Sequence, residues 1–170
     1  MRRFVLAALA LTVLAACQPT TADLTEEMER EIVTAVRQVF EDEIAGANEA
    51  DFERIASHSS EQDGICIYGT TIRSCSEAME EARQAHSQNP EERLERQEAD
   101  GEVTRVMVLS PTVALLANSV EENRAYFTDG SVWRSRVASL IVYVKENGEW
   151  KNHSSQDAMW LIGEDDDSQN

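Results

Sequence analysis

Basic side chains are scarce in this chain. Its 170 residues hold 15 Lys and Arg against 32 Asp and Glu, a formal net charge of −17 at pH 7. A surface of that sign repels phosphate backbones and anionic headgroups, which excludes nucleic acid as a partner. Only three His and three Cys are present. His58, His86 and His153 stand far apart without ligand spacing, so neither a zinc site nor another cofactor is expected. The seven Gly form no phosphate-cradling loop, and no Ser sits in a nucleophile elbow. Three Pro supply no rigid linker that would split the chain. Beyond residue 16 no apolar run approaches the length of a membrane span. What remains is one domain, large enough to bury a core.

The chain starts with a leader. Met1-Arg2-Arg3 is a short basic opening, and Phe4 to Leu14 is an apolar run of secretory length. The run ends Leu14-Ala15-Ala16-Cys17. This resembles the bacterial lipobox, in which the cysteine is acylated and becomes the mature N-terminus. The resemblance implies a lipid bilayer as partner through Cys17. Each buried methylene of such an anchor contributes about 0.8 kcal/mol, so several chains hold firmly where one holds marginally. Gln18 rather than Asp follows the cysteine, which in Gram-negative lipoproteins implies the outer membrane facing the periplasm. Residues 17–23 then form the lipidated tether, with a six-residue reach of about 20 Å from the anchor. The domain is expected over 24–162. Residues 163–170, with Glu164-Asp165-Asp166-Asp167, read as an acidic disordered tail.

Within the domain, helices come first. Met28, Ile32, Ala35, Val36, Val39, Phe40 and Ile44 recur at steps of three and four and predict a helix over 24–46, capped at Asp23 and closed by Gly46. A second helix is expected over 48–57. Ile65 to Tyr68 and Thr71 to Arg73 read as a hairpin around Gly69-Thr70. Ser74 and Glu77 have capping-box spacing, and a third helix follows over 75–88 until Asn89-Pro90. Arg93–Leu109, Thr112–Arg124, Ser131–Lys145 and Trp150–Trp160 then read as four long strands. Asp129-Gly130 and Asn147-Gly148 mark hairpins. The expected class is α+β, with N-terminal helices packed on a strongly curved antiparallel sheet. Such a cone encloses a cavity.

This order of elements resembles the nuclear transport factor 2-like, or SnoaL-like, cone fold. The stretch Phe127-Thr128-Asp129-Gly130, Trp133-Arg134 and Val142 to Lys151, with its Gly-x-Trp-Lys entry into the last strand, carries the likeness. The resemblance implies a homodimer and a possible small-molecule ligand. It implies no single activity, because isomerases, cyclases, hydrolases and binding proteins share the fold. Many relatives carry His four and six places after the Trp of the last strand. Those places are Ser154 and Gln156 here, and the histidine is His153. Leu140 and Ile141 stand where Thr or Asp is often found.

Strand alternation sorts the candidate pocket residues. Trp133, Ser135, Val137, Ser139, Ile141 and Tyr143 share one face, opposite Arg134 and Arg136. In the last strand Asn152, Ser154 and Gln156 oppose His153, Ser155 and Asp157. The polar run 152–157 lines a wet pocket or a solvated outer face. His153 and Asp157 are the candidate general bases, each acting alone, because four residues of strand separate them by about 13 Å. Arg134 and Arg136 fit either a ligand carboxylate or surface ion pairs. The Glu-rich helix faces read as solvated charge. Trp133, Val137, Ile141 and Tyr143 are the expected dimer face. Cys66 and Cys75 are left as an even pair in an oxidising compartment and are expected to form a disulfide. The reading leans to ligand or partner binding, with an isomerase or hydrolase as the alternative.

Overall fold

In the computed structural model, which describes residues 24–88 and 94–162, helices lie over one face of a seven-stranded sheet. Cys17, the tether and the acidic tail lie outside the described residues.

Helix α1 (Glu26–Glu49) buries Ile32, Val36, Phe40, Glu43 and Gly46 along one stripe. Its cap is Thr25, whose hydroxyl accepts from the Met28 amide at 3.2 Å. Glu26, Glu27 and Glu29 in the first turn favour the helix dipole. The helix does not stop at Gly46, as the sequence predicts, but runs on to Ala50, which takes the left-handed C-cap conformation. Gly46 has another job. A Cβ there would press on Ile55 at 3.0 Å, so the glycine lets α2 (Phe52–Ser57) pack closely. Asp51 caps α2 by accepting from the Arg54 amide, so the helix starts at Phe52 rather than at 48.

Strands β1 (Ile65–Tyr68) and β2 (Thr71–Ser74) form the expected hairpin and lead into α3 (Cys75–Gln88). The Cys66–Cys75 disulfide is present, with Cα atoms 4.9 Å apart, and pins the hairpin to the start of α3.

The expected strand over 93–109 is two strands, β3 (Leu94–Asp100) and β4 (Val103–Ser110). Gly101, at φ +66°, breaks it, and both pieces pair in tandem along β5 (Val113–Phe127). Beyond them lie β6 (Val132–Glu146) and β7 (Glu149–Leu161). The order is β2-β1-β7-β6-β5-β3, with β4 also on β5. The meander is antiparallel, but β1 joins β7 in parallel, so the sheet is mixed rather than wholly antiparallel. The parallel pair follows from the connection: α3 and the meander lie between β1 and β7, and the chain returns in the same direction.

Register shifts interrupt each antiparallel pairing of the meander. One adds a residue to β5 between Val120 and Asn123, and another adds His153 to β7 opposite Val142 and Tyr143. The core fills the concave side, where Ile32, Val36 and Phe40 meet Ala114, Leu116, Ile141, Tyr143 and Trp150. Ile141 and Tyr143 are therefore committed to this protein's own core and do not form a dimer face. Trp133 lies beyond the helices, 55 % exposed, against Phe127. The outer sheet face instead exposes Val103, Met107, Leu109 and Leu140.

Candidate functional site

Helix α3 explains why the cone is hollow. None of its residues is buried, yet Ala78, Met79 and Ala82 turn towards the sheet. Alanines are too short to reach the opposite wall. A cavity of about 500 Å³ remains between α1, α3 and the strands, within the size range of small-molecule sites. Phe40, Ile44, Phe52, Ile55, Met79 and Ile141 make most of it apolar. The Cys66–Cys75 bridge forms part of the wall.

The polar groups gather on β7 and the adjoining part of α1. Glu43 is 8 % exposed. Its Oε2 accepts from the Tyr143 hydroxyl at 2.5 Å, and its Oε1 accepts from Asn152 Nδ2 at 3.1 Å. Burial pushes the Glu43 carboxyl above its ordinary range, while its two donors oppose the shift. Tyr143, fully buried beside that carboxyl, is driven far upward and stays a donor. Asp157 is also raised by burial, with the Ser139 and Ser155 hydroxyls beside it pulling the other way. Tyr68 is raised by burial and then by the Asp157 charge, and it senses Glu43 too. These groups therefore share one electrostatic neighbourhood. Ser155 donates to Cys66 Sγ at 3.3 Å.

Just outside, Asp42 sits in a different setting. It accepts from Arg54 through Nε and Nη2, and it pairs with His58 Nε2 at 2.6 Å. The Arg54 and His58 contacts hold the Asp42 carboxyl well below the usual range.

The concave domain with helices on one side has clear structural counterparts. A hexachlorocyclohexane dehydrochlorinase from Novosphingobium barchaimii LL02 superposes with TM-score 0.65 at 13% identity, covering 81% of this chain and 93% of that one. A ketosteroid isomerase-like protein from Erwinia carotovora atroseptica superposes at 0.58 and 14%, covering 82% and 99%. A protein of the nuclear transport factor 2-like family from Streptomyces avermitilis gives 0.61 and 14%, covering 76% and 97%. The domain has the nuclear transport factor 2-like cone fold. At these identities the likeness establishes the fold of the cone and leaves its activity open. Residues 1–18 match the prokaryotic membrane lipoprotein lipid attachment site, so the cone belongs to a lipid-anchored cell-envelope protein. No curated protein matches the chain by sequence.

Of the residues that strand alternation offered, the cone brings Ser139, Ile141, Asn152, Ser155 and Asp157 into the cavity. Tyr143 stands behind the wall and acts through Glu43. His153, the extra residue of the bulge, turns into a separate polar pocket beside Ser60, Asp63 and Arg83, and its Nδ1 is buried without a partner. Ser154 accepts from the Ile65 amide, and Gln156 is exposed on the outer face. Strict alternation fails because the bulge inserts one residue. Ser155 pairs with Ile141 and Asp157 with Ser139 on the inner face, while Ser154 pairs with Val142 outside. The face that Asn152 shares by alternation with 154 and 156 thus continues at 155 and 157. Arg134 lies outside the cavity and pairs with Glu122 at 2.9 Å, the ion-pair alternative. Arg136 lies on the outer face beside Trp160. Trp133 is outside the cavity as well.

Glu43 is the residue that sequence reasoning missed. Taking the Glu-rich faces as uniformly solvated was wrong at this position. Its signal was present: it lies three residues after Phe40 and seven after Val36, on the apolar stripe itself.

Proposed function

We propose that this is an envelope lipoprotein whose cone binds a small, partly apolar molecule. The observation that carries the reading is the apolar cavity of about 500 Å³ with its polar groups confined to one end. An apolar body gains from leaving water, and the few polar groups fix its orientation. The dehydrochlorinase with the same fold is named for a compact halogenated hydrocarbon, a molecule of comparable character. Gln18 after Cys17 supports outer-membrane residence facing the periplasm. The exposed Met107, Leu109 and Leu140 support a homodimer through the outer sheet face. Thermal shifts of the full chain against a metabolite library test the binding reading. The expected result is stabilisation by a subset of apolar metabolites, lost in Ala78→Trp, which fills the cavity. A library without effect sinks the proposal.

One observation favours a second reading, proton transfer. Asp157 faces the cavity with its carboxyl raised towards the working range of a general base. In that case a bound ligand turns over, and Asp157→Asn abolishes product formation. Mass spectrometry of ligand recovered after incubation distinguishes the two.

A further inference from the structure

The cavity has fixed acid and almost no fixed base. Glu43 and Asp157 line it, and among the described residues neither makes an ion pair. Among the described residues no Lys or Arg belongs to its lining, and the basic ring there, His86, rests edge-on against Phe52. His58, which acts on Glu43 from a distance, is already engaged by Asp42. Two of the neutral donors are engaged elsewhere, and the Ser139 hydroxyl stands beside Asp157. Asn152 donates to Glu43, and Ser155 donates to the disulfide sulfur. A buried carboxylate without a cation is an unfavourable arrangement that a matching cation relieves. Around the carboxyls stand the rings of Phe40, Phe52 and Tyr68, whose faces attract cations.

We propose that the ligand of this cavity is a small amphipathic cation: a primary or secondary ammonium on an aromatic or branched aliphatic body, held by the Asp157 and Glu43 carboxylates. The proposal rests on the ligand-binding reading above and narrows it. An ammonium offers only donors, which suits a lining whose two acidic groups are acceptors without a counter-charge. A carboxylate ligand is repelled by the cavity and by the net charge of −17, which also concentrates cations near the surface. A neutral alcohol fits the walls but leaves both carboxylates without a counter-charge.

The test is a calorimetric titration of the full chain in phosphatidylcholine nanodiscs, with empty nanodiscs subtracted. The probes are two matched sets: 2-phenylethylamine, 2-phenylethanol and phenylacetate, and 1-naphthylmethylamine, 1-naphthylmethanol and 1-naphthoate. In each set the amine is expected to bind at least tenfold more tightly than the alcohol, with no binding of the acid. Asp157→Asn should weaken the amine tenfold or more and leave the alcohol within threefold. Glu43→Gln reports on the same preference should the first variant fail to fold. An alcohol or acid that binds as tightly as its amine overturns the cation proposal and leaves the ligand-binding reading standing. Amine binding that survives Ala78→Trp overturns it as well, because the site then lies elsewhere. Absence of binding by all six probes counts against both.

Discussion

Asp42 and Glu43 follow one another in α1, and the chain treats them in opposite ways. Asp42 points to the rim, where Arg54 and His58 surround it with donors and positive charge. Glu43 points into the cone, where its partners among the described residues are a phenol and an amide. The first carboxyl is pushed down and the second up. A step of one residue turns a helix by about 100°, which is enough to exchange water and ion pairs for an apolar chamber. Charge at the rim is balanced within the protein. Charge in the cavity is left for something else to balance.

The largest expected effect comes from the covalent part of the cavity wall. Replacing both Cys66 and Cys75 by Ala removes a loop closure over nine positions. The expected loss is about 2–3 kcal/mol in urea unfolding of the full chain. Rim contacts should be unaffected, so the Arg54 and Asp42 signals in spectra of the folded variant stay in place. Their displacement would show that rim and wall are one unit.

A smaller effect is expected from Tyr143→Phe, which takes one of the two donors from Glu43. At neutral pH the variant should lose about 1–3 kcal/mol, the cost of a buried polar group left short of a partner. Equal stability of variant and parent would mean that Glu43 is solvated, and the contrast with Asp42 would disappear.

The smallest effects are in pH dependence, and their signs oppose each other. The folded chain binds the Glu43 proton more tightly than the unfolded chain does. Stability should therefore fall as pH rises from the ordinary Glu value through the raised one, then level off. Glu43→Gln should abolish that fall. Asp42 behaves the other way: its contribution is present above the ordinary Asp value and is lost as pH falls through the lowered one. Arg54→Ala should flatten this acid-side loss and do nothing to the other. Unfolding midpoints of the two variants from strongly acidic pH, well below the ordinary Asp value, up to mildly alkaline pH check both signs.

Much of the fold was legible because it rests on local rules. The stripe Ile32-Val36-Phe40 shows helical periodicity, and Asn147-Gly148 closes a hairpin with Asn147 and Gly148 both at positive φ. The even cysteine pair 66 and 75 was legible from count and compartment. Features set by packing were not. Gly46 looked like a helix terminator, although its role is close approach between helices, which only the partner Ile55 reveals. The site was harder still. Its two carboxyls lie 114 positions apart and meet only through the sheet's curvature. Period-two reasoning leaves the inner face of the last strand open, and neither of its two faces holds on both sides of His153.

That single added residue also bears on how this chain is matched to others. His153 lies outside the ladder, and the pairing on both sides of it is regular. Counting forward from Trp150 in a cone without the extra residue therefore lands one position early in this one. An alignment must open a gap at 153 before Ser155 and Asp157 fall into the columns of inward-facing side chains. Without that gap, Ser154 and Gln156 take those columns, and this protein looks as though its chamber has no acid on the last strand.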